Sequence, residues 1–257
     1  MSPSLGPAPG TRALVVGGCG GIGRSYVDGL IAHDCRVAVL DLGRAFEARP
    51  LPPGVTFAAV DVTQTAAFEE AFNVAVAQLG GLDVLAHLVG INPAHAGIAD
   101  IGTGDLQQVM DVNLYSALAA ARLGIDAMRT GGGAMVFVSS GLALNPEPTF
   151  GCYAMSKAAL IALVKTVGKE NAPAIRCNAV APGLVDTAFL SGGTGSAARR
   201  DHLQEMGDLA DRIVASIPMG RIARPEEVAA PMLFLSGPGS AHMTGQVLYI
   251  NGGRLMP

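Results

Sequence analysis

The apolar run Ala13-Leu14-Val15-Val16 leads straight into Gly17-Gly18-Cys19-Gly20-Gly21-Ile22-Gly23, after which an amphipathic segment continues to His33. That order reads as strand, glycine turn and helix, and it constrains the chain more than any other stretch. Glycines let a backbone turn sharply and approach a pyrophosphate closely, while the free N–H groups and dipole of the following helix attract its charge. Two registers fit: Gly18, Gly20 and Gly23 as G-x-G-x-x-G, or Gly17, Gly21 and Gly23 as G-x-x-x-G-x-G. The next apolar run, Arg36 to Leu40, ends in Asp41, where a dinucleotide-binding fold carries the acid that accepts hydrogen bonds from the adenosine ribose. An acid at a strand end also caps turns and helices, so Asp41 takes its meaning from the glycine turn before it.

The same alternation continues. Val55 to Val60 reads as a strand ending at Asp61, Gln64 to Leu79 as a helix, and Leu82 to Val89 as a fourth strand. Leu106 to Arg129 reads as one long helix containing Asn113, followed by the strand Ala134 to Val138 with Ser139-Ser140 at its carboxyl end. Ala174 to Ala181 is a further strand running into Pro182-Gly183. A mixed segment spans Leu184 to Pro218, Pro225 opens another helix at its favoured first position, and Gln246 to Ile250 is the last strand. The strands are unbroken apolar runs, as expected of a parallel sheet covered on both faces, so the fold class is α/β, Rossmann-like and doubly wound. Half of the 257 residues are hydrophobic and 15% are charged, which suits one large core. Residues 11–257 are expected to form one domain behind a flexible tail, 1–10.

Composition removes several function classes. A net charge of −4 without a Lys/Arg cluster offers no field for nucleic acid or an anionic membrane surface. Every long apolar stretch is interrupted before membrane-spanning length, and the opening Met1-Ser2-Pro3-Ser4-Leu5-Gly6-Pro7 lacks a signal pattern, so a cytoplasmic location is expected. The four cysteines show no C-x-x-C spacing and the five histidines no H-E-x-x-H, so neither a disulfide framework nor a metal site is expected.

Tyr153-Ala154-Met155-Ser156-Lys157 places a phenol and an ammonium four residues apart, on one face of a helix. A phenol with a pKa of about 10 is a poor base near neutral pH, and a neighbouring cation favours phenolate. Lys157 is therefore expected to depress the Tyr153 pKa. Ser140, at a carboxyl strand end, faces the crevice where such sheets bind ligands. An amide in mid-helix, as at Asn113, is commonly a satisfied core residue.

Taken together these residues resemble the short-chain dehydrogenase/reductase family. The matches are Gly17-x-x-x-Gly21-Ile22-Gly23, Asp61, Asn113, Ser140 thirteen residues before Tyr153, Tyr153-x-x-x-Lys157, Pro182-Gly183 with Thr187, and Gly245-Gln246 with Asn251-Gly252-Gly253. They span nearly the whole chain. The resemblance selects the register of Gly17, Gly21 and Gly23. It implies seven strands and a catalytic tetrad of Asn113, Ser140, Tyr153 and Lys157. It also implies a cofactor held along Gly17, Cys19, Gly20, Gly21, Ile22, Gly23, Asp41, Leu42, Asp61, Val62, Val89, Gly90, Asn113, Tyr153, Lys157, Pro182, Gly183, Val185 and Thr187. Two departures stand out: Val16 occupies the place of a family Thr, and His87-Leu88-Val89-Gly90 replaces Asn-Asn-Ala-Gly.

By this resemblance Tyr153 exchanges a proton with a substrate hydroxyl, Ser140 stabilises the developing alkoxide, Lys157 also holds the nicotinamide ribose, and Asn113 gives the proton an exit. The segments that would cover the substrate, Gly141 to Cys152 and Leu184 to Pro218, offer Leu142, Leu144, Phe150, Leu184, Val185, Phe189, Leu190, Met206 and Leu209. An apolar pocket for a secondary alcohol or its ketone is expected, with Arg199, Arg200 and His202 as the nearest cationic cluster. Asp41 repels a 2′-phosphate, Gly20 supplies no compensating cation, and Arg44 stands just beyond, so the expected cofactor is NAD. An NADP(H)-linked carbonyl or 3-oxoacyl-thioester reductase, and a nucleotide-sensing protein without turnover, are the alternatives. Asn113 to Arg129 and Tyr153 to Val167 are apolar or Ala-rich around much of their circumference, and the resemblance implies a homotetramer, or a homodimer, built on paired helices.

Overall fold

The computed structural model describes residues 5–92, 96–191, 212 and 214–256. Its centre is a seven-stranded parallel sheet in the order β3-β2-β1-β4-β5-β6-β7. The strands are β1 (Arg12–Val16), β2 (Arg36–Asp41), β3 (Thr56–Ala59), β4 (Val84–His87), β5 (Gly133–Val138), β6 (Ile175–Pro182) and β7 (Val247–Ile250). Alternate residues of each strand feed opposite faces, as a pleat requires. Leu14, Val16, Ala38 and Leu40 enter one core with Phe68, Phe72, Ala120 and Leu160, whereas Ala13, Val15, Val37 and Val39 enter the other with Tyr26, Leu30, Val228 and Met232. Both strand faces are buried, which is why the sequence shows runs without polar alternation.

The first core lies under helices α3 (Thr65–Leu79), α5 (Ser116–Met128) and α6 (Gly151–Asn171), and the second under α1 (Gly21–Ala32) and α7 (Pro225–Ser236). Pro225 opens α7 at the first position, where its missing N–H costs nothing, and Glu227 accepts from the Arg224 backbone N–H at 2.8 Å. Two further short helices are α2 (Gly43–Ala48) and α4 (Thr103–Met110).

Three features depart from the sequence expectations. The helix expected over Leu106 to Arg129 is divided: α4 and α5 are joined by a π turn, Asp111–Tyr115, whose wider winding re-aims Asn113. The short helix α2 follows β2, where the sequence reading assigns no element. Of the expected tail, Gly6 and Pro7 are buried; Gly6 packs against His33 and the Gly237 backbone, and the Gly10 N–H donates to the Asp34 carbonyl at 2.8 Å. Met206, Leu209, Arg199, Arg200 and His202 lie outside the described residues. No helix among the described residues is long and apolar enough to cross a membrane.

Candidate active site

Strand order reverses between β1 and β4, and both strands deliver their carboxyl ends to one crevice. The Gly17 N–H donates to the Leu40 carbonyl and the Leu88 N–H to the Val16 carbonyl, each at 2.8 Å, so the glycine turn and the segment after β4 lie side by side. Gly17 adopts φ +90, a left-handed conformation that a side chain disfavours, and a Cβ there would sit 3.0 Å from the Val89 nitrogen. A Cβ on Gly23 would collide with the Gly17 carbonyl, and one on Gly21 with the Thr187 side chain, whereas one on Gly20 meets nothing closer than 3.8 Å. The structure thus leaves no room for a side chain at Gly17, Gly21 and Gly23, nor at Gly18, where a Cβ would lie 2.7 Å from Val39, and leaves Gly20 open, so Gly20 alone separates the two registers. Gly20 caps α1 without a side-chain hydrogen bond, so the first N–H groups of this twelve-residue helix face the turn. A cradle kept clear of side chains, ending on a helix start, fits a nucleotide phosphate.

Asp41 stands at the rim of that cradle. Its Oδ2 accepts from the Cys19 N–H and its Oδ1 from the Leu42 N–H, both at 2.8 Å. Burial pushes its pKa up, and these two donors pull it back. Burial, and then the neighbouring Asp41 carboxylate, push the Cys19 thiol up to about 12. Asp61 forms a turn at the start of α3, accepting from the Thr63 N–H at 3.0 Å and its hydroxyl at 2.8 Å. Ile22 packs on the core beneath α1 and Val62 on the core beneath α3.

The four tetrad candidates converge from β5, the π turn and α6. Ser140 follows β5, accepts the Leu142 N–H at 3.2 Å, and has its hydroxyl near enough to the Tyr153 phenol to oppose the rise of the phenol's pKa. Lys157, one helical turn beyond Tyr153, is buried with its Nζ 5.8 Å from the phenol ring centroid and donates to the Val138 carbonyl at 2.9 Å. The Asn113 carboxamide is held from three sides: Oδ1 accepts from Ile91 N–H at 2.7 Å, while Nδ2 donates to the Ile91 carbonyl and to Ser156 Oγ, both at 3.0 Å. Gly90 separates this amide from the lysine, since a Cβ there would lie 3.1 Å from Lys157 Nζ and 3.6 Å from Asn113 Oδ1.

The electrostatics correct one expectation. Lys157 does not draw the phenol below its ordinary value here. Burial pushes Tyr153 up to about 12, with the Ser140 hydroxyl opposing, and burial draws Lys157 down to about 8. Desolvation of both groups outweighs a cation that is bonded to a carbonyl and stands beside the ring instead of at the hydroxyl.

Of the expected substrate residues, Phe189 lies with its ring centroid 5.8 Å from that of Tyr153, Leu142 adjoins Ser140, and Phe150 caps α6 three positions ahead of Tyr153. Leu184 lines a cleft with Ile217, Met219 and Ile250 that includes none of the tetrad candidates. Its carbonyl accepts the Ala223 N–H at 2.9 Å while Val185 bridges Ala223, and this extended pairing sends Leu184 and buried Val185 to different sides. Pro182 ends β6, the Gly183 N–H donates to the Ile250 carbonyl at 2.9 Å, and Thr187 closes over Gly21.

Sequence reasoning did not anticipate the roles of Ile91, Ser156 and Val138, whose contributions are backbone groups or a local hydroxyl. Nor did it place His87, whose ring is buried against Phe137 with Nε2 2.9 Å from Ser116 Oγ and Nδ1 without a hydrogen-bond partner among the described residues. Burial, and then the Lys157 charge, push this imidazole down to about 3, so it is neutral.

The family profile described as Enoyl-(Acyl carrier protein) reductase matches residues 17–254. The chain is 30% identical over 255 residues to L-2,3-butanediol dehydrogenase of Corynebacterium glutamicum, covering 95% of this chain and 98% of the relative. It is 31% identical over 252 residues to the 3-oxoacyl-[acyl-carrier-protein] reductase FabG of Thermotoga maritima, covering 95% and 97%. This chain belongs to the short-chain dehydrogenase/reductase family. It is an oxidoreductase of CH–OH or carbonyl groups. The chain spans 44% of a longer relative, an uncharacterized short-chain type dehydrogenase/reductase of Sinorhizobium fredii, with 33% identity over 257 residues. Among solved structures, ligand-free aldohexose dehydrogenase (AldT) of Thermoplasma acidophilum superposes with a TM-score of 0.83 at 26% identity, covering 96% of this chain and 94% of that one.

Proposed function

We propose that this short-chain dehydrogenase/reductase interconverts a secondary alcohol and its ketone with NAD, using Tyr153 as the proton acceptor and donor. The observation that carries this reading is the closeness of the Ser140 hydroxyl and the Tyr153 phenol, both buried beside Lys157 at the carboxyl end of β5. In oxidation, the Tyr153 oxygen takes the proton of the substrate hydroxyl while Ser140 donates to the oxygen on which negative charge develops. Reduction uses the same two groups in reverse. While protonated, Lys157 supplies a positive charge that favours phenolate against the opposing burial, and Asn113 anchors the segment that faces it. When bound, the nicotinamide supplies the hydride acceptor or donor. The Gly17 to Gly23 turn and the α1 start would hold its pyrophosphate, Asp41 and Leu42 the adenosine ribose, Asp61 and Val62 the adenine, Tyr153 and Lys157 the second ribose, and Val89, Gly90, Pro182, Gly183, Val185 and Thr187 the nicotinamide end. Phe189, Leu142 and Phe150 give the substrate an apolar wall.

The NAD preference follows from charge. Asp41 presents a carboxylate where a 2′-phosphate carries nearly two negative charges, and Gly20 brings no cation. Wild-type kcat/KM is expected to be higher with NAD than with NADP in assays on a panel of secondary alcohols and ketones, and Asp41→Ala to narrow that ratio by roughly tenfold. A wild-type preference for NADP would overturn this assignment. It would favour the reductase reading, which the similarity to the Thermotoga 3-oxoacyl reductase and the nearby Arg44 support. Turnover of neither alcohols nor ketones with either cofactor would leave a nucleotide-binding protein.

Assembly is the second part of the proposal. Tyr115, Leu118 and Met155 are 49%, 42% and 46% exposed along the π turn, α5 and α6, which is a large apolar outlay for helices already buried on the sheet side. Paired copies of these helices would cover it. Sedimentation at micromolar concentration is expected to give a homotetramer, with a homodimer as its building unit, and a monomer would contradict it.

A further inference from the structure

We propose that His87 and Ser116 form a positioning clamp for the catalytic centre, in which the imidazole Nε2–H donates to Ser116 Oγ and holds the end of β4 against the π turn that carries Asn113. The proposal rests on the reading of Asn113 and Lys157 given above. The donor is set by the bonding around Ser116. Its hydroxyl lies 2.6 Å from the Val112 carbonyl and has only one hydrogen to give, so the hydrogen in the 2.9 Å contact with His87 comes from the ring. The imidazole is then the Nε2–H tautomer, and the nitrogen left without a partner is the bare Nδ1. Its neutrality matters beside Lys157, because a second buried cation there would oppose the ammonium.

The clamp has a twin. Asn113 bonds Ile91 through both its carboxamide atoms, so the segment from His87 to Ile91 is pinned at one end to Ser116, whose hydroxyl reaches back to Val112 of the π turn, and at the other to Asn113 within it. Between the pins, the Leu88 N–H is bonded to β1, the Val89 backbone abuts Gly17, and Gly90 abuts Lys157. Movement at the His87 end is therefore felt at the glycine cradle and at the lysine together. The clamp also accounts for the departure at this position: an asparagine, as in the family pattern, is too short to place a donor where the His87 Nε2 stands, whereas glutamine is long enough.

The test compares His87→Phe, His87→Gln, Ser116→Ala and the His87→Phe/Ser116→Ala double variant by two readouts, amide hydrogen exchange of the protein without cofactor and steady-state kinetics. His87→Phe keeps a ring against Phe137 but has no N–H. It and Ser116→Ala are each expected to speed exchange across residues 111–117. Each should lower kcat about tenfold, less than the roughly hundredfold cost of a 1 Å misplacement, with a smaller change in KM. The double variant should be no worse than either single one, and His87→Gln should recover most of both losses. Unchanged exchange, additive losses, or a glutamine variant no better than phenylalanine would overturn the clamp. If His87→Phe does not fold, Ser116→Ala and His87→Gln decide by the same readouts. Wild-type turnover in Tyr153→Phe would sink the catalytic reading instead, and the exchange result would still report on the clamp.

Discussion

Tyr153→Phe is expected to retain cofactor affinity near the wild-type value and to lose about a thousandfold in kcat, within the range of roughly 10² to 10⁴ that general acid–base groups contribute. The ring fills the same buried place and keeps its tilted contact with Phe189, so packing around the site is preserved. The lost atom is the one the Ser140 hydroxyl acts on, and Lys157 keeps its bond to the Val138 carbonyl. Removing only the proton carrier should lower kcat and kcat/KM together, the signature of an interaction made in the transition state. Because burial holds the phenol high, wild-type oxidation should also accelerate with rising pH as phenolate becomes available. Turnover by the phenylalanine variant at the wild-type rate would mean that another group moves the proton.

Much of this site was legible because its chemistry sits where local patterns are strongest. The central strands are continuous apolar runs because both their faces are buried, and four runs stop at the edge of the crevice: at Val16 before the glycine turn, at Asp41, at His87, and at Val138 before Ser139-Ser140. Tyr153 and Lys157 were readable from helical spacing only once the glycine turn, Asp41 and Ser140 stood beside it in the pattern. The π turn was not, because Asp111–Tyr115 keeps the composition of a helix and one extra residue of winding leaves no mark on its periodicity. The buried N-terminal residues were read as tail because glycine and proline are turn formers, while their burial comes from contact with the end of α7, more than 200 residues away. The Lys157 effect was misjudged for a related reason: spacing gives proximity, but the desolvation of both groups and the competing Val138 carbonyl are tertiary facts. The His87–Ser116 clamp joins a strand end to a helix across 29 positions, and no periodic signal connects them.

Gly23→Ala is expected to weaken cofactor binding by roughly ten- to a hundredfold and to lower Tm measurably, whereas Gly20→Ala should leave Tm nearly unchanged. The added methyl at Gly23 would collide with the Gly17 carbonyl and approach the Gly18 Cα to 2.9 Å. Both are backbone atoms of the cradle and have no rotamer to change, so relief requires the whole turn to shift against α1. Overpacking of this kind costs about 1–3 kcal/mol, and each 1.4 kcal/mol that falls on binding is a factor of ten in affinity. Gly17 cannot move away, since its N–H is bonded to Leu40 and its Cα faces Val89. At Gly20 the nearest obstacle to a methyl is 3.8 Å away, an ordinary van der Waals contact, and its φ of −67 is open to alanine. Calorimetric titration with NAD and thermal unfolding of the two variants separate the positions. Equal affinity in Gly23→Ala and wild type would show that the turn does not hold the pyrophosphate, and would leave Asp41 as the only support for a dinucleotide in this crevice.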